Sequence, residues 1–282
     1  MTYREAYFSL QKIDSKYFHN SAIKALLMDI GGYSSFYELS KHLDDLVKDE
    51  DKLQKYVKKL KNGEPLQYIL GYSYFVNSNY FVTPDVLIPR QETEELAVGV
   101  CAYINRWFSF EDTFNLCDLC TGSGVLGIYL KERFPRANVV ATDISPKALE
   151  VARRNAKEHN VDIELIEGDF LKPILDKNIK FDVLVCNPPY IKDESTVDPQ
   201  TLKYEPHLAL FGNPPTKYYL EIFKNIDTIM KPDCILAFEI GEEMEEELTN
   251  VIEKDLPGVI YKFQKDIYNK TRFLYIIRKR GK

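Results

Sequence analysis

The spacing of hydrophobic and polar positions in the first 62 residues is helical. Between residues 50 and 61, apolar side chains recur every three or four positions, opposite a row of lysines. These apolar residues are Leu53, Tyr56, Val57 and Leu60. Asn62-Gly63 then provides a helix stop, and Gly31-Gly32 divides the region into two helical pairs. The pattern predicts a small helical bundle over residues 1–62.

The spacing changes at residue 63. Aromatic and apolar residues flank Asn77-Ser78-Asn79 on both sides, which predicts a β-hairpin. We interpret residues 63–90 as a hairpin linker between two domains. A helix is expected at about residues 92–106.

From residue 114 onward, short apolar runs alternate with amphipathic stretches, and this predicts βαβ units and a parallel sheet covered on both faces. The predicted strands are 114–119, 138–143, 162–168, 181–187 and 234–241, and the predicted helices are 124–134, 146–159 and 216–230. Two further strand-like runs, 258–266 and 271–279, are joined by residues 267–270 and would add an antiparallel pair. The fold class is therefore α/β, with one large domain over residues 91–282.

Composition is that of an ordinary globular protein. The 282 residues are 45% hydrophobic and 28% charged, with a formal net charge of −6. This acidic balance argues against a protein that grips a nucleic-acid backbone over a wide area. Five scattered cysteines, no signal-peptide pattern and no long apolar stretch predict a cytoplasmic protein with no membrane partner.

A glycine loop follows the first strand of the large domain. The run DLCTGSG, residues 118–124, would let backbone N–H groups at a helix N-terminus approach a ligand. Its candidate cofactor-binding residues are Cys120, Thr121, Gly122, Ser123 and Gly124. With Gly127 and the acidic Asp143, the loop also satisfies the dinucleotide fingerprint G-x-G-x-x-G. The loop alone therefore indicates a nucleoside-type cofactor and leaves open a dehydrogenase, a methyltransferase or a plain tight turn.

The ends of the next two strands carry further candidates for cofactor binding. Asp143 could accept hydrogen bonds from the hydroxyls of a ribose, or it could cap the following helix, although Ser145 is better placed to do so. Asp169 could accept from an adenine amino group while Phe170 lies against the ring, or the segment Gly168–Phe170 could be a simple turn.

The motif Asn187-Pro188-Pro189-Tyr190 follows the strand FDVLVC directly. Ligands of open parallel sheets bind at this end of the strands. The Asn187 carboxamide and the Pro188 carbonyl could hold both hydrogens of a planar NH2 group, while Tyr190 stacks against it.

Such an arrangement suits methyl transfer to an amide or aromatic amine. The lone pair of that nitrogen is delocalised, so accepting from both N–H bonds raises its electron density and orients it toward a sulfonium methyl group. Positioning and electrostatics then supply most of the catalysis, and no strong base is needed. A dehydrogenase has no use for this motif.

With these motifs in this order, the sequence resembles the release factor glutamine N5-methyltransferases over nearly its whole length. The matching segments are EPLQYILG (64–71), LIPRQETEEL (87–96), DLCTGSG (118–124), ATDISPKALEVARRNA (141–156), FDVLVCNPPYI (181–191), YEPHLALFG (204–212), KD (265–266) and TRF (271–273). Gln91 stands where the family usually has proline, and Cys120 where methyltransferases often have the first loop glycine.

The resemblance implies a seven-stranded, Rossmann-like class I methyltransferase sheet behind the helical domain. It also implies S-adenosyl-L-methionine as cofactor and the glutamine of the Gly-Gly-Gln loop of class 1 peptide chain release factors as substrate. Residues 1–62 would then recognise the protein substrate. Arg90 is a candidate for substrate contact. Glu92, Thr93 and Glu94 could contact the substrate or the methionine end of the cofactor, or they could equally begin a helix.

Several weaker signals receive structural interpretations. Cys117-x-x-Cys120 has no second pair, and the four histidines lack ligand spacing, so no metal site is predicted. Glu239 is interpreted as structural, and the acidic run Glu242–Glu247 as a solvated helix face.

The sequence leaves three alternative functions open. An enzyme that methylates a ribosomal-protein glutamine would share the Asn-Pro-Pro-Tyr motif, although EPLQYILG and the stretch around Glu92 favour the release factor branch. An adenine-N6 methyltransferase on DNA or RNA would present the same planar NH2 group, but it would need a basic recognition surface. A non-catalytic protein that keeps the fold is the third, and the intact cofactor and Asn-Pro-Pro-Tyr motifs argue against it.

Overall fold

The structure is a computed structural model that describes residues 1–279. The helices of these residues are α1 (Tyr3–Gln11), α2 (Asn20–Gly31), α3 (Phe36–Ser40), α4 (Glu50–Lys61), α5 (Leu66–Leu70), α6 (Gln91–Ile104), α7 (Val125–Arg133), α8 (Pro146–Glu158), α9 (Lys172–Lys177), α10 (Pro199–Tyr204), α11 (Lys217–Lys224), α12 (Ile226–Ile229) and α13 (Glu245–Asp255). The strands are β1 (Tyr72–Phe75), β2 (Ser78–Phe81), β3 (Asn115–Leu119), β4 (Asn138–Asp143), β5 (Glu164–Glu167), β6 (Phe181–Cys186), β7 (Met230–Glu239), β8 (Ile260–Lys265) and β9 (Thr271–Arg278).

The first compact unit consists of residues 1–72 and 198–204. Its helices α1 to α5 bury one apolar core, in which Ile23, Leu26 and Leu27 of α2 are fully enclosed. Gly32 ends α2 in the left-handed conformation, as the Gly-Gly break predicts. The short helix α10 also belongs to this unit: the Tyr204 hydroxyl donates to the Asn62 carbonyl at 2.7 Å, and Gln200 Nε2 donates to the Gly63 carbonyl at 2.8 Å.

The second unit begins at residue 73, continues to residue 197 and resumes at residue 205. Its seven-stranded sheet has the order β5-β4-β3-β6-β7-β9-β8, and β9 runs antiparallel to both of its neighbours. The other pairs are parallel. This confirms the α/β fold class and the methyltransferase-type sheet.

Both faces of the sheet are covered. Successive residues of β6 enter different cores: Leu184 and Cys186 pack on one face, and Val183 and Val185 on the other. All six residues of this strand are buried, which explains why its sequence is a continuous apolar run.

Several predicted boundaries were wrong. The hairpin turns at Val76-Asn77, both at positive φ, and not at residues 77–79. The predicted helix over 216–230 is two short helices, α11 and α12, followed at once by β7. Residues 66–70, included in the hairpin region, form the short helix α5, which Gly71 ends in the left-handed conformation.

The described helices include none that is both long enough and apolar enough to cross a lipid bilayer.

Candidate active site

The glycine loop connects β3 to α7 through an unusual backbone. Cys120, Gly122 and Gly124 all have positive φ, at 58°, 56° and 86°. A side chain at Gly124 would place its Cβ 3.1 Å from that of Ala152 on α8 and 2.9 Å from Ile128 Cδ1, so only glycine allows α7 and α8 to pack here. At Gly122 the same Cβ would meet nothing within 4 Å, because this residue lies at the wall of a cavity.

The buried carboxylate of Asp118 is hydrogen-bonded to the glycine loop and to the start of α7. One of its oxygens accepts from the Thr121 hydroxyl at 2.5 Å and from the Gly127 N–H at 2.9 Å. The other oxygen has no hydrogen-bond partner among the described residues. Burial raises the pKa of Asp118 to about 7, and its two hydrogen bonds oppose that shift.

Asp143, the last residue of β4, is also hydrogen-bonded to the glycine loop. Its Oδ2 accepts from the Gly122 N–H at 2.9 Å, and its Oδ1 accepts from the Ser145 N–H, also at 2.9 Å. Ser145, whose hydroxyl accepts from the Ala148 N–H, is the N-cap of α8, as expected. Burial raises the pKa of Asp143, while these backbone hydrogen bonds act in the opposite direction.

A single cavity joins these residues to the Asn-Pro-Pro-Tyr segment. Ten of the predicted site residues line it: Thr93, Cys120, Thr121, Gly122, Ser123, Asp143, Asp169, Phe170, Asn187 and Pro189. The cavity lies at the ends of β3 and β6, which are neighbours in the sheet. The strand that follows β3 in the chain, β4, lies on one side of this pair, and the strand that follows β6, β7, lies on the other. Open α/β sheets bind ligands at such a position.

The other five predicted site residues do not line this cavity: Arg90, Glu92, Gly124, Pro188 and Tyr190. Gly124 packs against α8, and Pro188 is buried. Arg90 forms an ion pair with Glu205, a buried carboxylate that also accepts from the Ile88 N–H at 3.0 Å. Glu92 lies in the first turn of α6.

Two polar side chains of the Asn-Pro-Pro-Tyr segment are connected to one buried carboxylate. Asn187 Nδ2 donates to the Thr93 hydroxyl oxygen at 3.1 Å, and that hydroxyl donates to Glu239 Oε2 at 2.7 Å. The Tyr190 hydroxyl donates to Glu239 Oε1 at 3.0 Å. Glu239 is the last residue of β7, and the register that pairs Cys186 with Phe238 brings it beside Asn187.

A second segment, residues 205–212, packs against the Asn-Pro-Pro-Tyr turn. The Ile191 N–H donates to the Leu210 carbonyl, and the Gly212 N–H donates to the Ile191 carbonyl. A Cβ at Gly212 would come within 2.3 Å of the Pro189 carbonyl oxygen, so glycine is required for this contact.

The sequence interpretation missed several cavity residues. Tyr218 lines the cavity with its ring 4.7 Å from that of Phe170, in an edge-on arrangement, and no sequence signal marked it. Others lie within the matching segments but were not singled out: Leu87, Pro89, Pro206, Leu208 and Ala209.

The described residues contain no group of three or more His, Cys, Asp or Glu side chains arranged to hold a metal ion.

Residues 106–203 match the family model described as the methyltransferase small domain. The release factor glutamine methyltransferase of Staphylococcus aureus is 39% identical over 215 residues, which cover 75% of this chain and 75% of that protein. The protein of the same name from Bacillus subtilis is 34% identical over 261 residues, covering 90% and 89%.

Among solved structures, the hMettl16 catalytic domain in complex with the MAT2A 3′UTR hairpin 1 has a TM-score of 0.52 at 14% identity, covering 71% of this chain and 74% of that one. A likeness at this identity concerns the fold alone.

Proposed function

Because the chain belongs to the release factor glutamine methyltransferase family, we propose that it methylates the side-chain amide nitrogen of a glutamine in a peptide chain release factor. The cofactor is S-adenosyl-L-methionine, and the target is the glutamine of the Gly-Gly-Gln motif of class 1 release factors. One observation carries the proposal: the glycine loop and the Asn-Pro-Pro-Tyr segment line the same cavity. An amide group bound at Asn187 would therefore lie next to a cofactor bound at the glycine loop.

The cavity suits the cofactor. The open side of Gly122 leaves room for a ligand against the backbone, and Asp143 retains lone pairs for the hydroxyls of a ribose. Asp169 and Phe170 would receive the adenine. When bound, S-adenosyl-L-methionine supplies an electrophilic methyl group.

The protein's own contribution is to hold a weak nucleophile. The Asn187 carbonyl oxygen and the Pro188 carbonyl would accept the two amide hydrogens of the glutamine side chain. These contacts increase the electron density on nitrogen as the new N–C bond forms, and the nitrogen gives up one of its two protons, which becomes acidic once methyl transfer is under way. Orientation of the NH2 group supplies the rest, because a fixed near-attack geometry removes much of the entropic part of the barrier.

The helical unit supplies a second element of the proposal, which is recognition of the protein substrate. A glutamine side chain alone offers too few contacts to select one residue among the many of a cell, whereas a specific interface buries about 800 Å² per partner. Two aromatic side chains of this unit face solvent: Phe8 is 54% exposed and Tyr37 is 72% exposed. We therefore assign substrate recognition to the predicted domain of residues 1–62.

The experiment supplies tritiated S-adenosyl-L-methionine to the purified protein together with a class 1 release factor, ribosomes or duplex DNA. We expect label only on the release factor, and mass spectrometry should find one added methyl group on its Gly-Gly-Gln peptide. A release factor with that glutamine replaced by alanine is the matched control and should remain unlabelled. Label on ribosomal protein or DNA, with none on the release factor, would reject the proposal in favour of another amide or amine substrate.

A further inference from the structure

The structure contains a hydrogen-bond relay that ends on the carboxamide of Asn187. Thr93 lies 94 residues before Asn187 and 146 residues before Glu239 in the sequence. The three side chains nevertheless form one chain of hydrogen bonds. Thr93 and Glu239 are almost fully enclosed, with 4% and 2% of their surfaces exposed. Three elements meet here: the turn after β6, the first turn of α6 and the end of β7.

The direction of this relay follows from what each group can donate. A hydroxyl has one proton, and the Thr93 proton is directed at Glu239 Oε2. The Thr93 oxygen can then only accept from Asn187, which must turn its NH2 end toward Thr93. If the carboxamide were flipped, its carbonyl oxygen would face an oxygen that has no proton left to give.

Glu239 terminates the relay because a carboxylate accepts and does not donate. Its second oxygen accepts from the Tyr190 hydroxyl, so the same group also fixes the other polar side chain of the Asn-Pro-Pro-Tyr segment. Burial and the nearby Glu92 raise the pKa of Glu239, while the hydrogen bonds from Thr93 and Tyr190 and the charge of Arg272 act in the opposite direction.

We propose that Thr93 and Glu239 are positioning residues that set the orientation of the Asn187 carboxamide, so that its carbonyl oxygen, and not its NH2 group, is presented to the substrate. This inference rests on the proposed function, because it concerns the acceptor that holds the glutamine NH2 group. Neither residue needs to touch the substrate nitrogen. A flipped Asn187 would place a donor against a donor, and the substrate amide would not be held in the orientation that methyl transfer needs.

The variant Thr93→Val tests this, since it removes the hydroxyl and keeps the shape of the side chain. We expect kcat for release factor to fall by about tenfold or more, the rate equivalent of one lost buried hydrogen bond. The KM for release factor and the Kd for S-adenosyl-L-methionine should stay within about twofold. Thr93→Ser retains the hydroxyl and should recover most of kcat.

The matched control is Thr216→Val. Thr216 is also buried, and its hydroxyl donates to the carboxylate of Glu247 at 2.8 Å, but it does not line the cavity. This variant should lose some stability and keep the wild-type kcat. A comparable fall in kcat for Thr216→Val would show that general destabilisation explains the effect.

A double-variant comparison separates positioning from a direct role of Thr93. If Thr93 acts through Asn187, Thr93→Val should cause no further loss of kcat in an Asn187→Ala background. An equal loss in both backgrounds, or a wild-type kcat in Thr93→Val alone, would overturn the inference. If the wild-type protein leaves release factor unmethylated, the proposed function itself fails, and this result is distinct from the other two.

Discussion

Asp143→Ala should weaken cofactor binding by about 2 kcal/mol. The carboxylate of Asp143 already holds the glycine loop through the Gly122 N–H and the start of α8 through the Ser145 N–H, each at 2.9 Å. Because these two hydrogen bonds fix the Asp143 carboxylate before a ligand binds, a ribose hydroxyl can donate to an acceptor that is already oriented. Charge-assisted hydrogen bonds contribute about 1.5–3 kcal/mol each, and the loss of one such contact corresponds to a Kd about 30-fold higher.

Two measurements check this value. Isothermal titration calorimetry with S-adenosyl-L-methionine gives the change in Kd directly. Ligand-induced stabilisation gives it independently: at a cofactor concentration about 100 times the wild-type Kd, the wild-type protein should gain about 2.7 kcal/mol of unfolding free energy, and a variant with a 30-fold higher Kd only about 0.9 kcal/mol.

Asp182→Ala is the matched control for the loss of a buried carboxylate. Asp182 also accepts from a backbone N–H, that of Asn115 at 2.8 Å, but it lies at the start of β6 and does not line the cavity. Both variants should lose stability, whereas only Asp143→Ala should lose cofactor affinity. A wild-type Kd in Asp143→Ala, or an equal rise in Asp182→Ala, would remove Asp143 from the cofactor site.

Three further predictions concern the rate, the pH dependence of stability and substrate recognition. Asn187→Ala should lower turnover at least about 100-fold, the scale for losing one preorganised polar contact, with nearly unchanged cofactor affinity in calorimetry; a wild-type rate would reject the mechanism. Because the pKa of Asp118 is raised from 3.8 to about 7, the folded state holds this proton more tightly, and the stability it contributes is complete below pH 3.8 and is lost as the pH rises to 7. In denaturant titrations, wild type should therefore lose about 1.4 kcal/mol per pH unit relative to Asp118→Asn between about pH 5 and 6 and less per unit as the pH approaches 7, and a constant difference would contradict the assigned pKa. Replacing Phe8 and Tyr37 by serine should raise the KM for intact release factor and leave that for a short Gly-Gly-Gln peptide unchanged; an equal KM for intact release factor would remove this surface from recognition.

Much of the fold could be predicted because its strands are separated by clear helical stretches. β3, β4 and β6 lie within one residue of their predicted bounds, since each is a short buried run that ends in a turn signal. The boundary before β7 was wrong for a physical reason. Ile226 to Met230 are mostly apolar and buried, and burial in a core imposes no period that separates a helix from the strand that follows it.

The parts of the candidate site that lie at strand ends could also be predicted from the sequence. The glycine loop, Asp143 and Asn187 sit at strand ends, where topology alone brings them to one edge of the sheet. The relay through Thr93 and the Arg90–Glu205 pair could not be foreseen, because 94 to 146 residues separate Thr93 from its partners and 115 separate Arg90 from Glu205. The packing of α6 against β7 brings Thr93 to Glu239, and the Arg90–Glu205 pair forms only where residues 88–90 lie beside Glu205.

The two segments that line the cavity, the glycine loop and the Asn-Pro-Pro-Tyr segment, are held in the same way. Each donates hydrogen bonds to a buried carboxyl group. Asp118 holds the glycine loop in this way, and Glu239 holds the Asn-Pro-Pro-Tyr segment. Burying such a group costs stability, as the raised pKa values of both carboxyls indicate. Methyl transfer to an amide gives a reason to bear that cost. Since the nucleophile is weak and no strong base is needed, the rate depends on how rigidly the cofactor and the amide are held, and each of these two carboxyl groups fixes the donors that point at its bonded oxygens.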